Sequence, residues 1–290
     1  MASGCHDIVI LKMMKKIFLL AVLFFIFFGN VAYAQNTTRA EFSILYNAYR
    51  KKYDEYLVAH DEYTLARSQY EKFDTLTSRE KAQVETAKML IKRDEVMVLY
   101  FTALKARLDD TSLEMDEARK NELKSLIDTE IQWYNEHKSR IKTNQTLKEL
   151  VIISNEGQDH YYGNDNTIYL SLFEISRARM TRYDNRFDEL FLRLTSLTET
   201  IKAEKRDEYK LSDSKIERID RWIGEVNNKE AEYNLTMEEA VKLTPEQGDR
   251  NRSKNLYNAA LESMEEALAI LKQRISFVNE VIREIKISEK

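Results

Sequence analysis

Apolar residues recur at helical spacing along almost the whole of this chain. In the first periodic stretch, about residues 38–73, Phe42, Tyr49, Tyr56, Tyr63 and Tyr70 stand seven apart, while Leu45, Ala59, Ala66 and Phe73 supply a second seam position that Lys52 interrupts. A seven-residue repeat draws one stripe along an α-helix, here roughly 54 Å long on a helix of about 36 residues. Tyrosine keeps a hydroxyl that must find water or a partner, so the stripe is expected at the rim of a core.

The same reading continues in order. A second helix carries Leu90, Met97 and Leu104, flanked by Ala87, Ile91, Val98, Phe101 and Leu108, a face wide enough for two neighbours. A third carries Leu123, Ile127, Tyr134 and Ile141. Thr77 with Glu80, Thr111 with Glu114 and Thr146 with Glu149 have the spacing of capping boxes that start new helices. The last of these opens a short apolar segment, Leu147 to Ile153. A fourth helix, about Asn166 to Tyr209, reads Phe173, Met180, Tyr183, Phe187, Leu190, Leu194, Leu197 and Ile201. A fifth follows Leu211-Ser212-Asp213 with Ile216, Ile219, Ile223, Val226, Tyr233, Met237 and Ala240. Thr244-Pro245-Glu246-Gln247 then starts the last, with proline at a first helical position; its seam runs Tyr257, Leu261, Met264, Leu268, Leu271, Ile275, Val278, Ile282 and Ile285.

One long polar stretch bearing glycine, Ser154 to Thr167, interrupts this pattern and divides three long helices from three more. Short turns make neighbouring helices antiparallel. The expected fold is therefore all-α: an elongated antiparallel helical bundle or coiled coil, built as two three-helix units. The units are residues 35–153 and 168–290, joined by a polar connector at 154–167. One continuous six-helix bundle, or an extended hairpin completed by partner chains, would use the same seams.

Residues 1–34 belong to neither unit. Lys15 and Lys16 precede an apolar run from Ile17 to Phe28, Gly29-Asn30 breaks it, and Ala32-Tyr33-Ala34 precedes Gln35. These are the three regions of a secretory signal peptide, preceded by an extended start; an uncleaved N-terminal membrane anchor is the alternative. The expected address is extracytoplasmic: periplasmic, cell-surface or secreted.

Composition agrees with long helices held by packing alone. The 290 residues include only 6 Gly and 1 Pro, against 45 Lys and Arg and 49 Asp and Glu. The lone cysteine, Cys5, precedes the signal, so the exported part has no disulfide and no lipid-accepting thiol. A net charge of −4, without a basic run, gives no sign of a nucleic-acid partner.

Catalytic groups are sparse. Of the histidines only His60, His137 and His160 follow the signal, and none stands three residues after a glutamate, so the usual di-iron site of helical bundles has no ligands. No His-Glu-x-x-His, glycine-rich phosphate loop or cysteine nucleophile is present. The acidic groups of the polar stretch do not follow the calcium-loop spacing. No catalytic residue, metal ligand or cofactor is therefore expected. Two places invite a ligand or partner: Trp133, Tyr134 and His137, with Trp133 and His137 four apart on one helix face, and His160, Tyr161 and Tyr162 in the polar stretch. An aromatic packing knot is the competing reading of the first place.

The segments EIQWYNEHKSRI (130–141) and TLKELV (146–151), with the tyrosine-rich first helix, resemble uncharacterised exported all-helical bacterial proteins. The resemblance implies no activity, ligand or catalytic residue. The expected role is a non-enzymatic scaffold or protein-interaction protein of the cell envelope, whose long faces meet another component or a second copy. The alternative is an extracytoplasmic ligand-sensing or solute-binding bundle.

Overall fold

The computed structural model describes residues 40–164, 166–203, 211–245 and 250–286. The proposed signal segment, the Gln247 half of the last expected capping box and the stretch to Tyr209 lie outside them. The described chain is all-α: α1 (residues 40–73), α2 (Leu76–Leu108), α3 (Glu117–Arg140), α4 (Leu147–Asn164), α5 (Asn166–Lys202), α6 (Asp213–Lys242) and α7 (Arg250–Lys286). No helix among the described residues is long and apolar enough to cross a membrane.

The tyrosine stripe of α1 lies at the rim, as its hydroxyls require. Ala59 and Ala66 are buried against α2, while Tyr49, Tyr56, Tyr63 and Tyr70 are half-buried. Lys52, the polar intruder, reaches Glu55 at 2.7 Å and Glu95 of α2 at 3.2 Å. Glu55 also accepts from Lys92 at 2.9 Å, and hydrogen bonds from the two lysines hold its carboxyl down to about 2.

Helix starts correct two of the expected caps. Phe73 ends α1, Asp74 takes the left-handed conformation (φ 42°), which aspartate tolerates better than most residues, and Thr75 is already the N-cap of α2. Its side chain accepts from the Ser78 amide at 3.2 Å while the Ser78 hydroxyl accepts from the Thr75 amide, so Thr77 and Glu80 fall inside the helix. Likewise α3 is capped by Asp116, which accepts from the Arg119 amide at 3.1 Å, in place of Thr111. The Thr146–Glu149 box forms as expected: Glu149 accepts from the Thr146 amide at 2.8 Å and Thr146 accepts from the Glu149 amide at 3.3 Å.

The main departure concerns the polar stretch. Residues 154–164 continue the apolar segment as one helix, α4, and α5 starts at Asn166. The expected connector is thus mostly helical. Its buried positions run Leu150, Ile153, Gly157 and, half-buried, His160 and Tyr161, a three-four spacing in which glycine and histidine replace aliphatic residues. Gly157 stands where another residue would collide: a β-carbon there would lie 2.2 Å from Nη2 of Arg93 and 3.2 Å from His137.

Helix α5 serves two cores. Ile168, Leu170, Ile175 and Ala178 pack with Phe101, Leu104, Leu108, Leu123, Ile127 and Tyr134 of α2 and α3. Phe173, Met180 and Phe187 pack with Val226, Tyr233 and Ala240 of α6 and with Met264, Ala267 and Leu271 of α7. Seams in α5 and α7 are displaced from their expected lines. Tyr183, Leu190 and Leu197 are exposed, as is Ile275, whereas Thr198 and Arg274 are fully buried. Arg274 takes the seam position three after Leu271. Its guanidinium reaches Asp184 at 2.8 Å, Asp188 at 3.0 Å and Glu230 at 3.3 Å, and lies 4.3 Å from the Phe187 ring.

Candidate functional site

Helices α2, α3 and α4 bring Trp133, Tyr134, His137 and His160 into one cluster. On α3, residues 130, 133, 134 and 137 share a face by helical spacing, and α4 lays His160 over it. The His160 ring is parallel to Trp133, with centroids 3.5 Å apart, and the His137 ring stacks on the same tryptophan at 4.8 Å. Tyr134 meets His160 edge-on at 5.5 Å and Phe101 of α2 at 6.1 Å.

Each histidine holds a carboxylate. His137 is buried, with Nδ1 at 2.6 Å from Asp94 of α2 and Nε2 at 2.9 Å from the Ile153 carbonyl of α4. A carbonyl only accepts, so Nε2 carries a hydrogen; one further proton then lies between Nδ1 and the Asp94 carboxyl. His160 Nε2 stands 2.8 Å from Glu130, itself buried. Arg93 borders the pair, with Nε 3.4 Å from Asp94 and Nη1 directed at the Ser154 carbonyl at 3.5 Å; its buried Nη2 has no hydrogen-bond acceptor. Burial pushes the Tyr134 phenol well above its ordinary range, and the Glu130 and Asp94 carboxylates push it further.

Tyr161 lies beside this cluster, lining a cleft of about 230 Å³ with Tyr53, Tyr56, Arg93, Tyr134 and Gly157. Tyr162 turns outward and is half exposed, in contact with Tyr161 at 5.8 Å. Five of the six residues singled out in the sequence are therefore adjacent, and Tyr162 alone faces solvent.

Asp94, Arg93 and Gly157 complete the cluster without having been singled out. For Asp94 the signal was readable, since it stands four after Leu90 and three before Met97 and so interrupts the seam of α2 with a charge. A further pattern was equally legible. Phe42, Tyr46, Tyr49, Tyr53, Tyr56, His60 and Tyr63 alternate four and three apart, and successive rings touch along α1 at 5.7 to 6.3 Å.

Chemically, the cluster is a lock. Both histidines, both carboxylates and the Ile153 carbonyl are engaged with one another across three helices, and the indole is covered by imidazole rings. Among the described residues no group of three or more His, Cys, Asp or Glu side chains could hold a metal ion. No family model matches the chain, and neither a curated protein nor a solved structure is similar enough to lend it a function.

Proposed function

We propose that the protein is an exported, non-enzymatic helical scaffold of the cell envelope that works by contact with another envelope component or with a second copy of itself. The observation that carries this reading is the outer face of α1. Ile44, Val58 and Leu65 lie on one heptad line that Lys51 interrupts, opposite the rim of tyrosines, and are 69%, 61% and 56% exposed. Leu57 extends the apolar surface. Isolated apolar side chains on a surface are ordinary, but three on one heptad line, with a single lysine between them, have the spacing of an unpaired coiled-coil seam. Engagement of the histidines and their carboxylates with one another supports a structural use of the inner cluster.

Sedimentation of the purified chain across a range of concentrations, combined with amine crosslinking, tests the reading. Association of the wild type that is abolished by Val58→Glu with Leu65→Glu is the expected result. A particle that is monomeric at every concentration and forms no crosslink to an envelope component would refute it.

A second reading, a ligand-binding bundle, has one observation in its favour: the 230 Å³ cleft under Tyr53, Tyr56 and Tyr161 opens beside the aromatic cluster. That volume lies below the range for small-molecule sites, roughly 300 Å³ and upward, and leaves room for only a small ligand.

A further inference from the structure

Four arginines converge on one cleft between α2 and α5. Arg107 in the last turn of α2 and Arg179, Arg182 and Arg186 of α5 line a space of about 690 Å³, closed on the third side by the start of α1. Residues 179, 182 and 186 are three and four apart, so their side chains stack along one helix face. Like charges so placed weaken a helix. A fold stabilised by its surface charges alone would alternate their sign there, as it does elsewhere in the chain.

The one carboxylate in the lining is already engaged. Asp110 is buried in the α2–α3 turn, where Oδ2 accepts from Arg107 at 2.5 Å and Oδ1 accepts from the Ser112 amide at 2.8 Å. Burial would raise its carboxyl, but the hydrogen bonds from Ser112 and the charges of Arg107 and Arg179 hold it below the usual range. Four guanidiniums and one carboxylate leave the lining at three net positive charges, in a chain whose overall charge is −4. The low-dielectric walls of a cleft focus such a field.

Aromatic rings flank the charges. The Arg107 guanidinium lies 5.3 Å from the Phe42 ring, Tyr46 stacks on Phe42 at 5.7 Å, and Tyr183 lines the cleft next to Arg182. Tyr46 and Tyr183 are nearly half exposed. Guanidinium forks match phosphate oxygens in pairs, and phenol rings stack on planar groups. The volume falls within the range of small-molecule sites, about 300 to 1,000 Å³.

We propose that this cleft binds a small phosphorylated molecule that carries an aromatic ring, of the nucleoside diphosphate class, with Arg179, Arg182 and Arg186 on the phosphates and Tyr46 and Tyr183 against the ring. The site is separate from the outer face of α1, so the two proposals stand or fall independently.

Isothermal titration of the full chain with ADP, inorganic pyrophosphate and adenosine, at low and at physiological salt, tests it. ADP and pyrophosphate bind, ADP more tightly, adenosine does not, and both affinities fall as salt rises. Arg182→Gln with Arg186→Gln lowers both affinities at least tenfold, and Arg186→Glu, at an exposed position that folding does not depend on, does the same. Tyr46→Ala with Tyr183→Ala brings ADP down to the level of pyrophosphate. Arg193→Gln, at an exposed arginine paired with Glu189 of its own helix, changes nothing. Absence of pyrophosphate and ADP binding at low salt overturns the proposal. So does an equal loss in Arg193→Gln, which would mark diffuse charge attraction, or ADP binding no tighter than pyrophosphate, which would remove the ring from the site.

Discussion

Asp94 and His137 share one proton in a place without water access, and the consequences differ between two substitutions of the same aspartate. Asp94→Ala strands the Nδ1 of His137 beside Arg93. Breaking a buried pair from one side costs about 3–5 kcal/mol, the loss expected here. Asp94→Asn costs much less, because its amide can donate to Nδ1 while Nε2 keeps the Ile153 carbonyl. Urea unfolding of both variants distinguishes them; equal losses would mean that shape, and not the shared proton, is what the position needs. Arg274 offers a test with a pH axis. Burial raises the Asp184 carboxyl, as does the neighbouring charge of Asp188, and Arg274 opposes them. An acid whose folded pKa is raised contributes stability below its ordinary range, and that contribution is lost as pH rises through the folded value. Removing the guanidinium enlarges the upward push. Arg274→Ala should therefore cost about 3 kcal/mol at pH 7 and distinctly less at pH 4, and a deficit independent of pH would contradict this account.

Among the elements, α4 carries the clearest consequence. Glycine inside a helix forfeits about 1 kcal/mol against alanine, so propensity alone makes Gly157→Ala stabilising. Contact reverses the sign: the Arg93 guanidinium, the far end of a flexible side chain, can swing aside, but His137, 3.2 Å from the added methyl and hydrogen-bonded at both ring nitrogens, cannot, an overpacking cost of about 1–3 kcal/mol. Thermal or urea unfolding of Gly157→Ala decides between them, and a gain in stability would show that His137 yields as well. The same helix explains what was legible in the sequence and what was not. Period and seam identified the main buried line of α2, α3 and α6, including Leu90, Phe101 and Leu104, Leu123 and Ile127, and Ile219, Val226 and Ala240, because apolar side chains occupy it. Thr86, Glu130, Lys215 and Thr236, buried on the same helices, leave no mark in an apolar period. On α4 the buried positions after Ile153 are Gly157, His160 and Tyr161, which a hydrophobic pattern scores as a break. The displaced seams of α5 and α7 have a related cause, since Arg274 and Thr198 occupy buried positions while Leu190 and Ile275 stand in water. The aromatic–histidine cluster was half legible: Trp133 and His137 lie on one helix face by spacing, but their joining to Asp94 and His160 depends on which helices become neighbours. The arginine cleft was half legible in the same way: Arg179, Arg182 and Arg186 share a face by spacing, but their meeting with Arg107 of α2 and Tyr46 of α1 depends on which helices become neighbours.

At the scale of the molecule, α5 joins the core of α2 and α3 to the core of α6 and α7, and α1 covers α2 from outside. That arrangement leaves the apolar line of α1 without a described neighbour, and the scaffold reading depends on that line being used. Sites for a photoactivatable crosslinking residue can be chosen from the exposures. Positions 44, 58 and 65 point outward on that line, whereas position 64, an exposed threonine on the other flank of the same helix, serves as a control. A discrete adduct is expected in intact cells from positions 58 and 65 but not from position 64, and it disappears when Ile44→Glu is added. Adducts that are absent from all the apolar positions, or equally strong from position 64, would contradict the scaffold proposal.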